Sequence, residues 1–136
     1  MKAQNSMEFV ILTSFMMFVF AMFFIIIQQK TIAATEEKND ATAQQLLDIA
    51  TSEIKLAESV SDDYYRQFTM PNNLNGLQYN ISIIPGVAGT SEIVVKYSNK
   101  EKVLFLEAYI SSGSTMGSGP NNITKADGVI TVKYVG

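Results

Sequence analysis

QNSMEFVILTSFMMFVFAMFFIII, residues 4–27, decides how the rest of the chain is read. No formal charge lies between Glu8 and Lys30, and the nineteen residues from Phe9 to Ile27 are interrupted only by Thr13 and Ser14. As a helix rising about 1.5 Å per residue, that run extends roughly 28 Å, close to the hydrocarbon thickness of a bilayer. Six Phe and three Met fall among the sixteen residues from Phe9 to Phe24. Such side chains fill irregular gaps between helices, and they also suit a span that simply faces lipid. A carboxylate at the lip of the run is unusual, because burying an unpaired charge costs several kcal/mol. Glu8 therefore either has a partner or lies in the headgroup layer.

Lys2 and Ala3 precede Gln4, so the order is basic residue, small residue, Gln, then Ser6, Glu8 and the apolar run. That order resembles the class III signal peptide of archaeal type IV pilin-like proteins. The resemblance covers residues 2 to 30 and implies cleavage by a prepilin peptidase at the Ala3–Gln4 bond. An ordinary secretory leader is instead cut after its apolar stretch. It further implies that Glu8 pairs with the N-terminal amine at Gln4 of a neighbouring subunit, with Phe9 opening the apolar surface by which helices assemble. Such a pair offsets two desolvation costs and fixes the register between helices. The implied partners are further copies of the chain in a helical homopolymer, the membrane before assembly, the peptidase and the pilus assembly machinery.

Composition narrows the alternatives. The chain has 136 residues, enough for one domain beside the N-terminal segment, and neither Cys nor His. Disulfides, thiolate or imidazole metal sites and His-based acid–base schemes are thereby excluded. Of the net charge of −3, residues 31–68 hold −5 (three cations against eight anions) and residues 69–136 hold +1 (five against four). No basic patch suits nucleic acid, and no cofactor is expected. The three glycines Gly113, Gly117 and Gly119 lack the Lys-Ser/Thr of a phosphate loop, and no calcium-loop spacing of acids occurs.

Beyond Lys30 the apolar residues Ile32, Ala43, Leu46, Ala50, Ile54, Ala57, Tyr64 and Phe68 fall mostly at spacings of three and four, predicting an amphipathic continuation of the helix over 31–68. Glu36, Glu37, Asp40, Asp48, Glu53, Glu58 and Asp62 lie opposite, as a solvated acidic face. Residues 35–42 are the weakest part of the stripe and read as an exposed neck or a local bend. Pro71 and the Asn72-Asn73 pair end the helix. Leu77, Tyr79, Ile81 and Ile83 then alternate with polar residues as a half-buried strand. A second strand at 93–97 and a third at 103–110, joined across Ser98 to Glu101, form a hairpin. Residues 111–122, rich in Ser and Gly, read as an exposed loop, and 129–135 as a last strand.

The expected fold is therefore α+β: a long N-terminal helix, apolar then amphipathic, packed on a small, mainly antiparallel sheet, the plan type IV pilins share. Its expected divisions are a leader at 1–3, an apolar transmembrane or filament-core helix at 4–30, the amphipathic helix at 31–68 and a β-rich head at 69–136. Two N-glycosylation sequons occur, Asn122-Ile123-Thr124 and Asn80-Ile81-Ser82, of which Asn122, in the predicted loop, is the better acceptor. The expected function is that of a structural subunit of a cell-surface filament with a membrane-anchored precursor and no catalytic role; a monomeric or minor membrane-anchored protein with a binding head is the alternative.

Overall fold

A computed structural model of the chain describes residues 2–136; Met1 and the Lys2 side chain, part of the expected leader, lie outside the described residues. One helix, α1 (Lys2–Ser59), precedes six strands: β1 (Tyr64–Met70), β2 (Tyr79–Pro85), β3 (Ser91–Tyr97), β4 (Lys100–Leu106), β5 (Gly119–Ala126) and β6 (Val129–Tyr134). The fold is α+β. The helix has no breaker to stop it, since the first Pro is Pro71 and the first Gly is Gly76. The chain forms two compact units, the first ending at Lys38 and the second running Asn39–Gly136.

In the second unit, α1 packs on two antiparallel three-stranded sheets, ordered β1-β5-β6 and β2-β3-β4. One core joins them. Ala43, Leu46, Leu47, Ala50, Ile54 and Ala57 from the helix meet Phe68 and Met70 of β1, Ile81 and Ile83 of β2, Ile93 and Val95 of β3, Ile123 of β5, and Ile130 and Val132 of β6. On each strand these residues are two apart, as the pleat demands.

Four expectations are corrected. The helix stops at Ser59 rather than Phe68, and residues 64–70 are a strand. Tyr64 and Phe68 are four apart, a spacing that fits a helical stripe and an alternating strand equally well. What separates the two is Met70, buried with Phe68 while Gln67 and Thr69 stay exposed. Secondly, the core stripe begins at Thr42 and Ala43, so Ile32 is exposed and the expected neck shortens to residues before Asn39. Thirdly, β4 ends at Leu106, and the chain beyond it leaves that sheet.

The fourth concerns 111–122. Ser111 N donates to Ile130 O at 2.8 Å and Thr115 N to Val132 O at 2.8 Å, so this stretch lies along the outer edge of β6. Ser114 and Met116 are buried, and Val132 N donates to Ser114 Oγ at 3.1 Å. Residues 119–122 already belong to β5, the central strand of its sheet. Asn121, fully buried, anchors the turn between. Its Nδ2 donates to Gly117 O and Gly119 O at 2.9 and 2.8 Å, and Gly117 N donates to its Oδ1 at 3.1 Å. A buried amide is tolerated because its hydrogen-bonding groups are met.

Candidate functional site

Ala3, Gln4, Glu8 and Phe9 all lie on α1 and are all exposed. Gln4 and Glu8 are one turn apart, which sets them on the same helix face about 5–6 Å apart at their Cβ atoms. The Ala3–Gln4 bond lies in the first turn, where backbone N–H groups have no partner within the helix. After Glu8, every large apolar side chain from Phe9 to Phe18 and from Phe20 to Ile27 is exposed, Phe20 by 73%. The two polar residues in the run hide their hydroxyls: Thr13 Oγ1 donates to Phe9 O and Ser14 Oγ to Val10 O, each at 2.8 Å. Thr31 and Thr35 donate in the same way to Ile27 O and Thr31 O, at 2.9 Å. Hydroxyls satisfied on their own helix need no water, so the span carries no polar group that a dry environment would leave unpaired.

The run is long and apolar enough to cross a membrane. Thirteen of its side chains are Phe, Val, Ile or Leu; at about 0.3–0.6 kcal/mol each, they favour a lipid-like setting by about 4–8 kcal/mol. Compared with known protein families, curated proteins and solved structures, the chain matches none. The physical character of the span and of the head thus carries the functional argument.

In the head, the residues singled out from sequence are dispersed. Asp62 to Arg66, within the helix expected over 31–68, instead form the turn out of α1 and the start of β1. Asp63 has a left-handed φ of 68° and donates its N–H to Lys125 O at 3.0 Å. Asp62 Oδ1 accepts from Gly128 N at 2.9 Å. Arg66 reaches back to Glu53 on α1, with Nε 3.1 Å from Oε2 and Nη2 3.2 Å from Oε1, so that residue of the acidic face is paired rather than merely solvated. Asp40 is likewise engaged: Tyr97 donates its hydroxyl to Oδ1 at 2.7 Å, and Lys102 Nζ donates to Asp40 O at 3.2 Å.

Sequence reasoning missed Lys125. Its ammonium donates to Glu58 O and Val60 O at 2.8 and 2.7 Å, meeting carbonyls that the end of α1 leaves free. No basic residue sits in the helix's own last turn, so a cation from β5 does that work. A signal for it existed. Asp127-Gly128 is a two-residue hairpin turn with φ of 52° and 75°, and it places Lys125 on a strand ending beside the helix terminus.

The two sequons exchange places. Asn122 lies on the central strand β5, opposite Gln67 of β1 and Lys133 of β6; it is half-buried, with Oδ1 shielded and without a partner. Asn80 is exposed on β2, an outermost strand. Among the described residues no group of three or more acidic side chains could hold a metal ion.

Proposed function

We propose that the chain is a structural subunit of a type IV pilus-like filament on the cell surface, with its N-terminal helix held in the membrane before assembly. The observation that carries this reading is the exposed, uncharged span, with only Val19 partly covered, that opens on Glu8 and follows Lys2-Ala3-Gln4. A secretory leader has no use for a carboxylate there, and a simple anchor is cheaper without one. In this reading a prepilin peptidase cuts between Ala3 and Gln4. The spans of successive copies then pack together through Phe9 and the apolar residues after it, and Glu8 pairs with the Gln4 amine of a neighbour. The head contributes the outer surface and no catalysis. The second reading, a monomeric or minor membrane-anchored component with a binding head, is favoured by the fact that an exposed apolar span is equally content in lipid.

Glu8→Gln separates the two. An anchor gains from the change, because an amide inserts more readily than a carboxylate. A filament subunit loses: the neighbouring ammonium stays buried without its counter-ion, at about 3–5 kcal/mol per contact. The variant is expressed as the sole source of the protein, and filament numbers are compared with the amount of processed subunit in the membrane. Normal processing without filaments is expected. Filaments in normal number would remove Glu8 from assembly.

A further inference from the structure

Each free sheet edge in the head is a row of unpaired N–H and C=O groups, and three of the four are guarded by familiar means. β1 carries Arg66, β4 carries Lys100, Glu101 and Lys102, and the outer edge of β6 is covered by residues 111–115. The fourth edge is β2, Tyr79–Pro85, with the sequence YNISIIP. Among the described residues no backbone hydrogen bond reaches its outer side. It lies in the longest uncharged stretch outside the N-terminal span, the twenty-five residues from Gln67 to Ser91. A β-prone, charge-free edge of this length is an aggregation hazard. Its only sequence guard is Pro85, at the last position.

The outer face of the same sheet is charged beside Asn80 and carries exposed apolar residues toward its other end. Ile81, Ile83, Ile93 and Val95 point into the core, so Asn80, Ser82 and Ile84 of β2, Glu92, Val94 and Lys96 of β3, and Glu101, Val103 and Phe105 of β4 share the other side, with Lys96 opposite Asn80 and 3.8 Å from Glu101. Of these Ile84 is 47% and Phe105 71% exposed. Asn80 and Ser82 form a sequon on that face, two residues apart, with Asn80 exposed. At about 3.3 Å per residue and about 4.8 Å between strands, Ile84 and Val103 lie roughly 12–13 Å from Asn80, within reach of a chain of a few sugars.

We propose that Asn80 carries an N-linked oligosaccharide, and that this sugar chain guards the β2 edge and the exposed apolar residues Ile84, Val103 and Phe105 on the outer face of its sheet. In the transfer, Asn80 Nδ2 bonds to the anomeric carbon of an oligosaccharide carried on a lipid phosphate or diphosphate. The anomeric C–O bond breaks, the phosphate leaves with the bonding electron pair, and Nδ2 gives up one proton; nothing is oxidised or reduced. The inference rests on the head being outside the cell, as the filament reading requires, but not on filament formation itself.

Trypsin separates the two sequons, since residues 67–96 form one peptide and 103–125 another. In protein from its own cells, the 67–96 peptide should carry a sugar mass. Asn80→Gln and Ser82→Ala should abolish it, and Ser82→Thr should keep it. The unglycosylated proteins should bind anilinonaphthalene sulfonate several-fold more strongly and sediment as aggregates. Asn80→Lys, which restores a charge to the edge without sugar, should sediment less than Asn80→Gln. An unmodified 67–96 peptide overturns the proposal, including the case where a second copy shields this face in filaments. Equal solubility of Asn80→Gln and wild type overturns the guarding role, as does equal aggregation of Asn80→Gln and Asn80→Lys. A glycosylated chain that forms no filaments would support this inference and remove the filament reading; unmodified Asn80 in intact filaments would do the reverse.

Discussion

Tyr97 shows how single residues tie the helix to the sheets. Burial pushes its hydroxyl up from the ordinary 10 to about 12, helped by the hydrogen bond to Asp40 and by that carboxylate's charge. Burial alone raises Tyr79 to about 12 as well, where its hydroxyl donates to Pro71 O. Both groups fold in the neutral form. A folded value above the unfolded one contributes stability that is complete below pH 10 and is lost as the pH climbs through 12. Chemical denaturation of the head between pH 8 and 12 should therefore show a fall in stability beginning near pH 10. Tyr97→Phe should lower stability at neutral pH by about 1 kcal/mol and flatten the alkaline fall. An unchanged alkaline slope in the variant would mean that Tyr97 is not the group responsible. Lys125 acts in the same spirit at the other end of the packed helix, joining β5 to the carbonyls of Glu58 and Val60.

At the scale of elements, the packed part of α1 depends on one narrow stripe. Ile54 is 1% exposed at its centre, whereas Leu56, two residues on, is 38% exposed. Ile54→Ala should cost about 2–5 kcal/mol, the transfer and cavity terms of a buried aliphatic side chain, and Leu56→Ala about 1 kcal/mol or less. Comparable losses in thermal unfolding would show that the stripe is misplaced. The stripe from Ala43 to Ala57 was legible in the sequence because nothing but a helix explains its spacing over four turns. So was β2, by its alternation, and so were β3 and β6, as short runs rich in β-branched residues bounded by turn residues. The end of α1 was not legible, because the spacing of Tyr64 and Phe68 satisfies both periods. Nor was β5: the composition of 111–122 describes a loop, and only the buried amide of Asn121 and the edge of β6 show that its backbone is organised. For the candidate site, Gln4, Glu8 and Phe9 were legible as chemistry, since charge and hydropathy are properties of sequence. That Asn122 lies on the central strand of a sheet, and not in a loop, was not legible, because the pairing of β5 is set by residues far along the chain.

For the whole molecule, two surfaces need different company. The head buries its core within itself, with Leu46, Ile54, Val95 and Ile123 all 1% exposed or less. The span from Phe9 to Ile27 buries nothing, and about 4–8 kcal/mol of favourable transfer awaits it in lipid or among like helices. Under the filament proposal, a chain so divided would pass from membrane to polymer without refolding its head. In that proposal Glu8 favours the second setting, because an unpaired carboxylate within the hydrocarbon adds cost. The central claim is that copies of this chain make up a surface filament through that span. It is tested most directly by shearing surface filaments from cells, imaging them by electron microscopy, and determining the composition and N-termini of their protein by mass spectrometry. The claim predicts filaments in which this chain is the most abundant protein and begins at Gln4. A chain confined to the membrane fraction, or one beginning after Ile27, would contradict it.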